Sequence, residues 1–169
     1  VNKGYVVKII TGFPNYPQWK IHKNYMDYPS FFSETNENIE IIRYKQYIPK
    51  TVTFKGRVLM MLSLFFGTLV NLRKVKHSDL VICIVPFTLS ILPAWLLSKI
   101  RKAKLWIHIQ DFEFDLALES GVIGGNNPIS TIFKSSILGF ERFLLNRATL
   151  VSSISNSMLS KIMEKSKHD

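Results

Sequence analysis

The sequence predicts an α/β fold in which helices flank a parallel sheet. Short apolar, β-branched runs alternate with longer segments of helical periodicity. Two such runs, Asp79–Val85 and Leu105–Ile109, are separated by a helical stretch. A strand, a helix and a second strand in this order form parallel neighbours through a right-handed crossover. With 169 residues, 47% of them apolar and 20% charged, the chain is large and apolar enough for one packed domain.

The first part of the chain predicts two strands with a long connection between them. Tyr5–Thr11 and Ile39–Tyr44 are apolar and β-branched, which favours buried strands. Gly12–Trp19, directly after the first strand, is rich in turn residues, aromatics and amides. Its prolines either simply end the strand or hold these side chains at a sugar or lipid site. Lys20–Asn38 has no clear periodicity, so we expect a long loop that is functional or mobile.

Thr51–Lys74 predicts a long helix with an apolar centre at Val58–Leu72. This centre would rise about 22 Å as a helix, which is short of the roughly 30 Å hydrocarbon core of a bilayer. We therefore favour a buried helix, or a helix in the membrane interface whose basic residues contact lipid phosphates, over a transmembrane span. The basic residues at its two ends, which are the predicted membrane contacts, are Lys55, Arg57, Arg73 and Lys74.

The second half of the chain continues the alternation of strands and helices. Pro86 ends the strand Asp79–Val85, and Ser90 begins a helix that runs to about Lys102, before the strand Leu105–Ile109. After them we expect a short helix, a glycine-rich loop, a long helix, a strand and a last helix. In chain order these are Phe114–Ser120, Gly121–Asn127, a helix from Asn127 to about Arg147, Ala148–Ile154, and a helix capped by Ser155.

Polar residues appear where the strand Leu105–Ile109 ends. Gln110 and Asp111 come directly after it, and Glu113 follows at an alternate position. In open α/β sheets, ligands bind outside the carboxyl ends of parallel strands, so these residues are the strongest site candidates. His108 lies within the strand, where a hydrogen-bonded core histidine is the simpler interpretation. The four histidines are scattered and form no ligand set, so we expect no metal.

Charge and cysteine content limit the partners and the chemistry. Twenty-two Lys and Arg against 12 Asp and Glu give a net charge of +10, which favours nucleic acid, an acidic membrane or a phosphorylated substrate. The basic residues are not interleaved with aromatics as in nucleic-acid-binding motifs, so we expect no nucleic-acid partner. Cys83 lies alone in an apolar run, which predicts a buried thiol and excludes a disulfide within the chain. The chain begins at Val1 without a signal-peptide pattern, and we expect it to be a fragment.

Four segments resemble a known family. They are Thr11–Trp19, Tyr47–Lys50, His108–Asp111 with the acids that follow it, and Ser152–Met158. The family is the retaining, GT-B-fold glycosyltransferases of family 4, and the nearest members are the colanic-acid and capsular-polysaccharide sugar transferases. The similarity runs along nearly the whole chain in order. The first and third segments are the most specific.

This resemblance implies that residues 1–169 are a partial, Rossmann-like N-terminal domain that holds the acceptor. A C-terminal domain, absent here, would hold a nucleotide sugar, so we expect the chain alone to be inactive. The reaction moves the sugar to a lipid-linked saccharide acceptor with retained anomeric configuration, without a metal or another cofactor. The implied place is the cytoplasmic, inner face of the cell membrane, where an anionic lipid surface is a further partner and surface polysaccharide is assembled.

The resemblance also suggests roles for individual residues. Many family members carry a histidine just past the strand that ends here at Ile109, whereas this chain has Gln110 and then Asp111. We expect Gln110 to hydrogen-bond a sugar hydroxyl, and Asp111 to orient it or to act as a general base toward the acceptor hydroxyl. The other expected substrate contacts are Phe13, Pro14, Asn15, Tyr16, Pro86, His108, Glu113 and Ser155.

The family's first strand has no counterpart in this sequence. In the strand order 3-2-1-4-5-6 that strand is central, so we expect two separate sets of strands. Unpaired strand edges lower stability, and we expect the chain by itself to be only marginally stable. The two sets are Tyr5–Thr11 with Ile39–Tyr44, and Asp79–Val85 with Leu105–Ile109 and Ala148–Ile154.

A non-catalytic membrane-docking or partner-binding α/β module is the alternative function. It keeps the basic, apolar helix and the same strands, and it needs no donor domain.

Overall fold

The computed structural model describes residues 4–51, 53–85, 87–111 and 128–166. The chain divides into two compact units, Val1–Lys76 and His77–Asp169. Each unit combines a three-stranded sheet with helices, and the sheet of the second unit is wholly parallel. The predicted α/β class, with a parallel sheet flanked by helices, is therefore confirmed.

The first unit contains β1 (Val7–Gly12), β2 (Phe31–Asn36), β3 (Ile39–Tyr44) and α1 (Phe54–Asn71). Its strands lie in the order β1-β3-β2. β1 and β3 are parallel, from the pair Val7 and Ile39 to the pair Gly12 and Tyr44. Both strands were predicted, β3 with its observed bounds and β1 with the range Tyr5–Thr11. The predicted burial of β1 is wrong, because none of its residues is fully buried.

The strand β2 corrects the prediction of a long loop over Lys20–Asn38. It pairs antiparallel with β3 through a two-residue turn, Glu37 and Asn38, in which Glu37 has φ +50°. Only Phe32 and Glu34 of β2 are half-buried, so the strand carries little of the apolar alternation by which a strand is recognised. The turn also lacks the Asn-Gly or Asp-Gly pair that usually marks a short hairpin. Pairing with β3 decides the conformation of this segment.

The helix α1 is anchored to the sheet through Tyr44. The Tyr44 hydroxyl donates to the Leu64 carbonyl at 2.9 Å and lies 2.9 Å from Thr68 Oγ1. The Tyr44 ring packs where Gly67 has no side chain, since a Cβ on Gly67 would come within 2.2 Å of ring carbons. Burial raises the pKa of the Tyr44 phenol, so this group stays a neutral hydrogen-bonding anchor. At the start of the helix, Thr53 caps α1 by accepting from the Gly56 amide.

The predicted long helix is confirmed, and much of its surface is open. Phe54–Lys74 is long and apolar enough to cross a membrane by length and composition alone. Only 22% of its most apolar window is buried inside the protein, and core helices of other proteins meet the same length and composition test. One apolar face of α1 therefore packs on the sheet, and a second apolar face is exposed to solvent.

The described part of the second unit contains three strands and three α-helices. They are β4 (Leu80–Val85), α2 (Ile91–Arg101), β5 (Lys104–Ile109), α3 (Pro128–Leu145), β6 (Leu150–Ser153) and α4 (Asn156–Lys165). The strand order is β4-β5-β6, and both pairings are parallel. The predicted strand–helix–strand unit is thus confirmed. The predicted short helix at Phe114–Ser120 and loop at Gly121–Asn127 lie outside the described residues.

Side chains alternate strictly along β4. Val81, Cys83 and Val85 are buried beneath the helices, whereas the alternate residues Ile82 and Ile84 are more than half exposed. Burial raises the pKa of the Cys83 thiol, and its sulfur lies 3.5 Å from Ser90 Oγ, as expected for a core cysteine.

The strands belong to two separate sheets, as predicted. β1 and β3 form one sheet with β2, and β4, β5 and β6 form the other. Among the residues that the structure describes, β1 has no strand on the side away from β3, and β4 has none on the side away from β5. β1, β4 and β6 each pair in parallel with one neighbour and form edges of these sheets.

Replacing Gly67 with alanine should lower the free energy of unfolding by about 1–3 kcal/mol, because the new methyl group overpacks against the Tyr44 ring. Urea unfolding of the full chain, followed by circular dichroism, measures the effect. The control is Gly139→Ala in α3, where a Cβ would meet nothing within 4 Å and the change should stabilise by up to about 1 kcal/mol. Equal effects of the two changes would contradict the proposed anchor.

Candidate functional site

In the first unit, the candidate site begins where β1 ends. The Phe13 amide donates to the Tyr44 carbonyl at 3.1 Å, which extends the parallel ladder by one residue. The Phe13 side chain is 1% exposed and packs against Phe32, with the ring centroids 5.5 Å apart and the planes at 77°. The Tyr25 ring also packs against the Phe13 ring, with the two ring centroids 6.0 Å apart. The ring of Phe13 therefore fixes the start of the loop from within the core.

The loop that follows Phe13 is closed by His22. The His22 amide donates to the Pro14 carbonyl at 3.1 Å, and His22 Nε2 lies 3.2 Å from the Tyr16 carbonyl. Pro14 and Asn15 are half-buried, and Tyr16 is 76% exposed. The loop therefore presents the Tyr16 ring to solvent on a backbone tied at both ends, which suits stacking against a sugar ring.

Gln46 supports this loop and was missed by the sequence analysis. It is 6% exposed, its Oε1 accepts from the Phe13 amide at 2.7 Å, and its Nε2 donates to the Phe13 carbonyl at 2.8 Å. The same nitrogen lies 3.4 Å from Asn15 Oδ1. A glutamine just after a strand carries no local sign of such a role, because its partners are 31 to 33 residues away in the chain.

Arg43 adds charge beneath the same loop. Its Nε donates to Glu34 Oε1 at 2.5 Å, and its guanidinium lies 5.1 Å from the centre of the Tyr25 ring. A longer contact of 3.4 Å reaches the Gly12 carbonyl. The ion pair and the ring contact hold the guanidinium against Glu34 and Tyr25, so Arg43 stabilises the start of the loop after β1.

In the second unit, the candidate site lies at the carboxyl end of β5. The Gln110 amide donates to the Val85 carbonyl at 3.1 Å, which again extends the parallel ladder by one residue. The side chains of Gln110 and Asp111 are exposed. Asp111 also lines a gap, too narrow for a water molecule, between the ends of β4 and β5. The two predicted catalytic residues are therefore adjacent and solvent-accessible, and the backbone of Gln110 is held by β4.

A buried ion pair lies beside Asp111. Glu141 is 1% exposed and lines the same gap as Asp111. Its Oε2 lies 2.7 Å from Lys165 Nζ, and Thr88 Oγ1 donates to its Oε1 at 3.5 Å. The pair joins α3 to α4 at the carboxyl edge of the sheet. The role of Glu141 was not predicted from the sequence, because its partners Thr88 and Lys165 lie 53 and 24 residues away in the chain.

His108 is held within the sheet. Its Nδ1 lies 2.9 Å from Ser152 Oγ, and the same hydroxyl accepts from Trp106 Nε1 at 2.8 Å. His108 and Ser152 are paired residues of β5 and β6. One serine thus satisfies two neighbouring side chains on the strand, which agrees with the interpretation of His108 as a strand-supporting residue.

The remaining predicted contacts are spread over the chain. Ser155 caps α4, because its hydroxyl accepts from the Met158 amide at 3.3 Å, and it remains exposed. Pro86 and Glu113 lie outside the described residues. Within the described ranges, no group of three or more His, Cys, Asp or Glu residues is arranged to hold a metal ion.

The exposed face of α1 is apolar and bounded by basic residues. Leu59, Leu62, Phe66 and Val70 are spaced by three or four residues, so they form one stripe, and Phe66 is 57% exposed. Three of the four predicted membrane contacts are exposed, namely Lys55, Arg57 and Arg73. The fourth, Lys74, is half-buried.

No family model matches the chain. A search of curated proteins finds a protein of Escherichia coli (strain K12) named putative colanic acid biosynthesis glycosyl transferase WcaI, which is 33% identical over 168 residues. This chain is homologous to part of a glycosyl transferase. The match covers 96% of the chain, so it includes both the loop after β1 and the end of β5, and the predicted resemblance is confirmed. The chain spans 40% of the length of this glycosyl transferase.

Replacing Ser152 with alanine should lower the free energy of unfolding by about 1–2 kcal/mol, because the side chains of Trp106 and His108 both lose their partner. Guanidinium unfolding of the full chain measures this change. Ser160→Ala is the control, since its hydroxyl bonds only within an exposed turn of α4 and the effect should stay within about 0.5 kcal/mol. If Ser152→Ala behaves like this control, His108 does not depend on Ser152.

Proposed function

We propose that this chain is the acceptor-side part of a retaining glycosyltransferase in surface polysaccharide assembly. The enzyme moves a sugar from a nucleotide sugar to a lipid-linked saccharide acceptor. The observation that carries the proposal is the 33% identity to a glycosyl transferase over 96% of the chain. The exposed pair of Gln110 and Asp111 at the carboxyl edge of a parallel sheet supports it, because ligands of such sheets bind at that edge.

Gln110 and Asp111 have different roles toward the acceptor. The carboxamide of Gln110 both donates and accepts, so it holds a sugar hydroxyl in one orientation. The carboxylate of Asp111 accepts the proton of the acceptor hydroxyl as that oxygen bonds to the transferred sugar, and the nucleoside diphosphate leaves with the bonding electrons. The donor and its leaving group bind to a separate C-terminal domain.

In the first unit, the loop after β1 carries side chains that suit saccharide binding. Asn15 offers an amide to sugar hydroxyls, and the exposed ring of Tyr16 offers a stacking surface. Hydrogen bonds from Gln46 and His22 hold the loop backbone in place. Preorganisation of this kind lowers the entropy cost of binding.

The helix α1 holds the enzyme on the cytoplasmic face of the cell membrane. Its exposed stripe, Leu59, Leu62, Phe66 and Val70, enters the interface, and Lys55 and Arg73 at its ends reach anionic headgroups. The net charge of +10 supports the same partner. Docking of this kind brings the acceptor loop to a lipid-linked substrate.

Replacing Asp111 with asparagine should lower the transfer rate by about 10²- to 10⁴-fold, because the amide cannot take the acceptor proton. The assay uses the intact enzyme, a panel of radiolabelled nucleotide sugars and a lipid extract that contains lipid-linked saccharides. Asp79→Asn is the matched control, since this exposed acid precedes β4 at the opposite end of the same strands. A wild-type enzyme that transfers no sugar, or an Asp111→Asn enzyme as fast as the control, would overturn the proposal.

Replacing Lys55 and Arg73 together with glutamine should weaken binding to anionic vesicles roughly 30-fold, because each basic residue contributes about 1 kcal/mol near such a surface. Vesicle sedimentation, with phosphatidylglycerol present or absent, measures the binding. Lys99→Gln with Lys102→Gln removes the same charge from exposed positions at the end of α2 and should have little effect. Wild-type binding that ignores lipid charge would contradict electrostatic docking.

A further inference from the structure

Several hydrogen bonds hold the backbone at the start of the loop after β1. The Phe13 amide is shared between the Tyr44 carbonyl at 3.1 Å and Gln46 Oε1 at 2.7 Å. The Phe13 carbonyl accepts from Gln46 Nε2 at 2.8 Å. The single carboxamide of Gln46 therefore bonds both backbone groups of one residue, as a neighbouring strand would do. It acts as a one-residue continuation of the sheet.

Gly12 makes this arrangement possible. A Cβ at this position would lie 2.6 Å from Gln46 Oε1, 2.7 Å from its Cδ and 3.0 Å from its Nε2. Any other residue would therefore push the carboxamide out of its place against Phe13. Gly12 has an extended strand conformation, so its missing side chain, and not its backbone freedom, is the feature used here.

The same carboxamide sets the orientation of Asn15. Gln46 Nε2 donates to Asn15 Oδ1 at 3.4 Å, so the oxygen of Asn15 faces inward. Asn15 Nδ2 has no hydrogen-bond partner among the residues described, and Asn15 is half-buried beside the exposed Tyr16. The loop therefore presents an oriented N–H donor next to an aromatic ring. A donor of this kind recognises a hydroxyl oxygen of a sugar that stacks on the ring.

We propose that Gln46 is a positioning residue for acceptor recognition, which holds the loop so that Asn15 donates to a saccharide hydroxyl while Tyr16 stacks on the ring. Gln46 itself is 6% exposed and acts only through Phe13 and Asn15. This inference rests on the proposed function, since it names the contacts that select the acceptor of that transfer. It predicts an effect on acceptor binding and none on the chemical step.

The test compares Gln46→Met with Asn71→Ala in the intact enzyme. The methionine has nearly the shape of glutamine and leaves both backbone groups of Phe13 without this partner. Asn71 is also a buried amide of the same unit, and it donates to the Gly67 carbonyl at 2.8 Å inside α1, away from the loop. Two readouts are used: hydrogen exchange of the peptide that spans residues 13–22, and sugar transfer at increasing amounts of the lipid-linked saccharide extract.

Gln46→Met should accelerate loop exchange and raise the half-saturating amount of extract, each about 10-fold, with kcat and the donor KM changed less than about 2-fold. Asn71→Ala should lower the melting temperature and leave both loop readouts at wild-type values. If Gln46→Met does not fold, Gln46→Glu replaces it, because the carboxylate still accepts from the Phe13 amide and has no proton for the Phe13 carbonyl.

An unchanged half-saturation in the Gln46 variant, or a rise no larger than in Asn71→Ala, would overturn the inference. A fall in kcat at unchanged half-saturation would overturn it as well, since Gln46 would then act on the chemical step. The two proposals fail separately. Full activity of Asp111→Asn together with a raised half-saturation in Gln46→Met would remove the role of Asp111 and retain that of Gln46.

Discussion

One backbone hydrogen bond in each unit carries the parallel ladder a single residue past the end of a strand. In the first unit the Phe13 amide bonds the Tyr44 carbonyl, and in the second the Gln110 amide bonds the Val85 carbonyl, both at 3.1 Å. A backbone held by a neighbouring strand has already lost most of its conformational freedom on folding. The side chains that follow therefore start from fixed positions, which is the requirement for a site that binds or orients a substrate.

Buried polar groups then secure each of these strand ends in a different way. In the first unit the group is a neutral carboxamide, Gln46, which bonds both the amide and the carbonyl of Phe13. Beside Asp111 it is the ion pair of Glu141 and Lys165, which joins two helices. Breaking a buried ion pair by removing one partner costs about 3–5 kcal/mol, whereas the loss of a neutral hydrogen bond costs less.

Much of the fold follows from local sequence, because several elements are determined by their own residues. The strand Ile39–Tyr44 and the strand–helix–strand unit ending at Ile109 have β-branched runs that suit buried parallel strands, and both were predicted. β2 was missed because Phe31–Asn36 is mostly exposed, and its conformation comes from pairing with β3. At the candidate site, the position of Gln110 and Asp111 at the carboxyl end of a strand could be predicted, because the apolar run stops at Ile109. Gln46 and Glu141 could not, because their roles depend on partners 24 to 53 residues away.

The central claim is that the carboxyl end of β5 binds the acceptor saccharide of a sugar transfer. A crystal structure of the intact enzyme with an oligosaccharide acceptor tests it most directly. We expect sugar hydroxyls within hydrogen-bond distance of Gln110 and Asp111. An acceptor bound away from this strand end would contradict the claim.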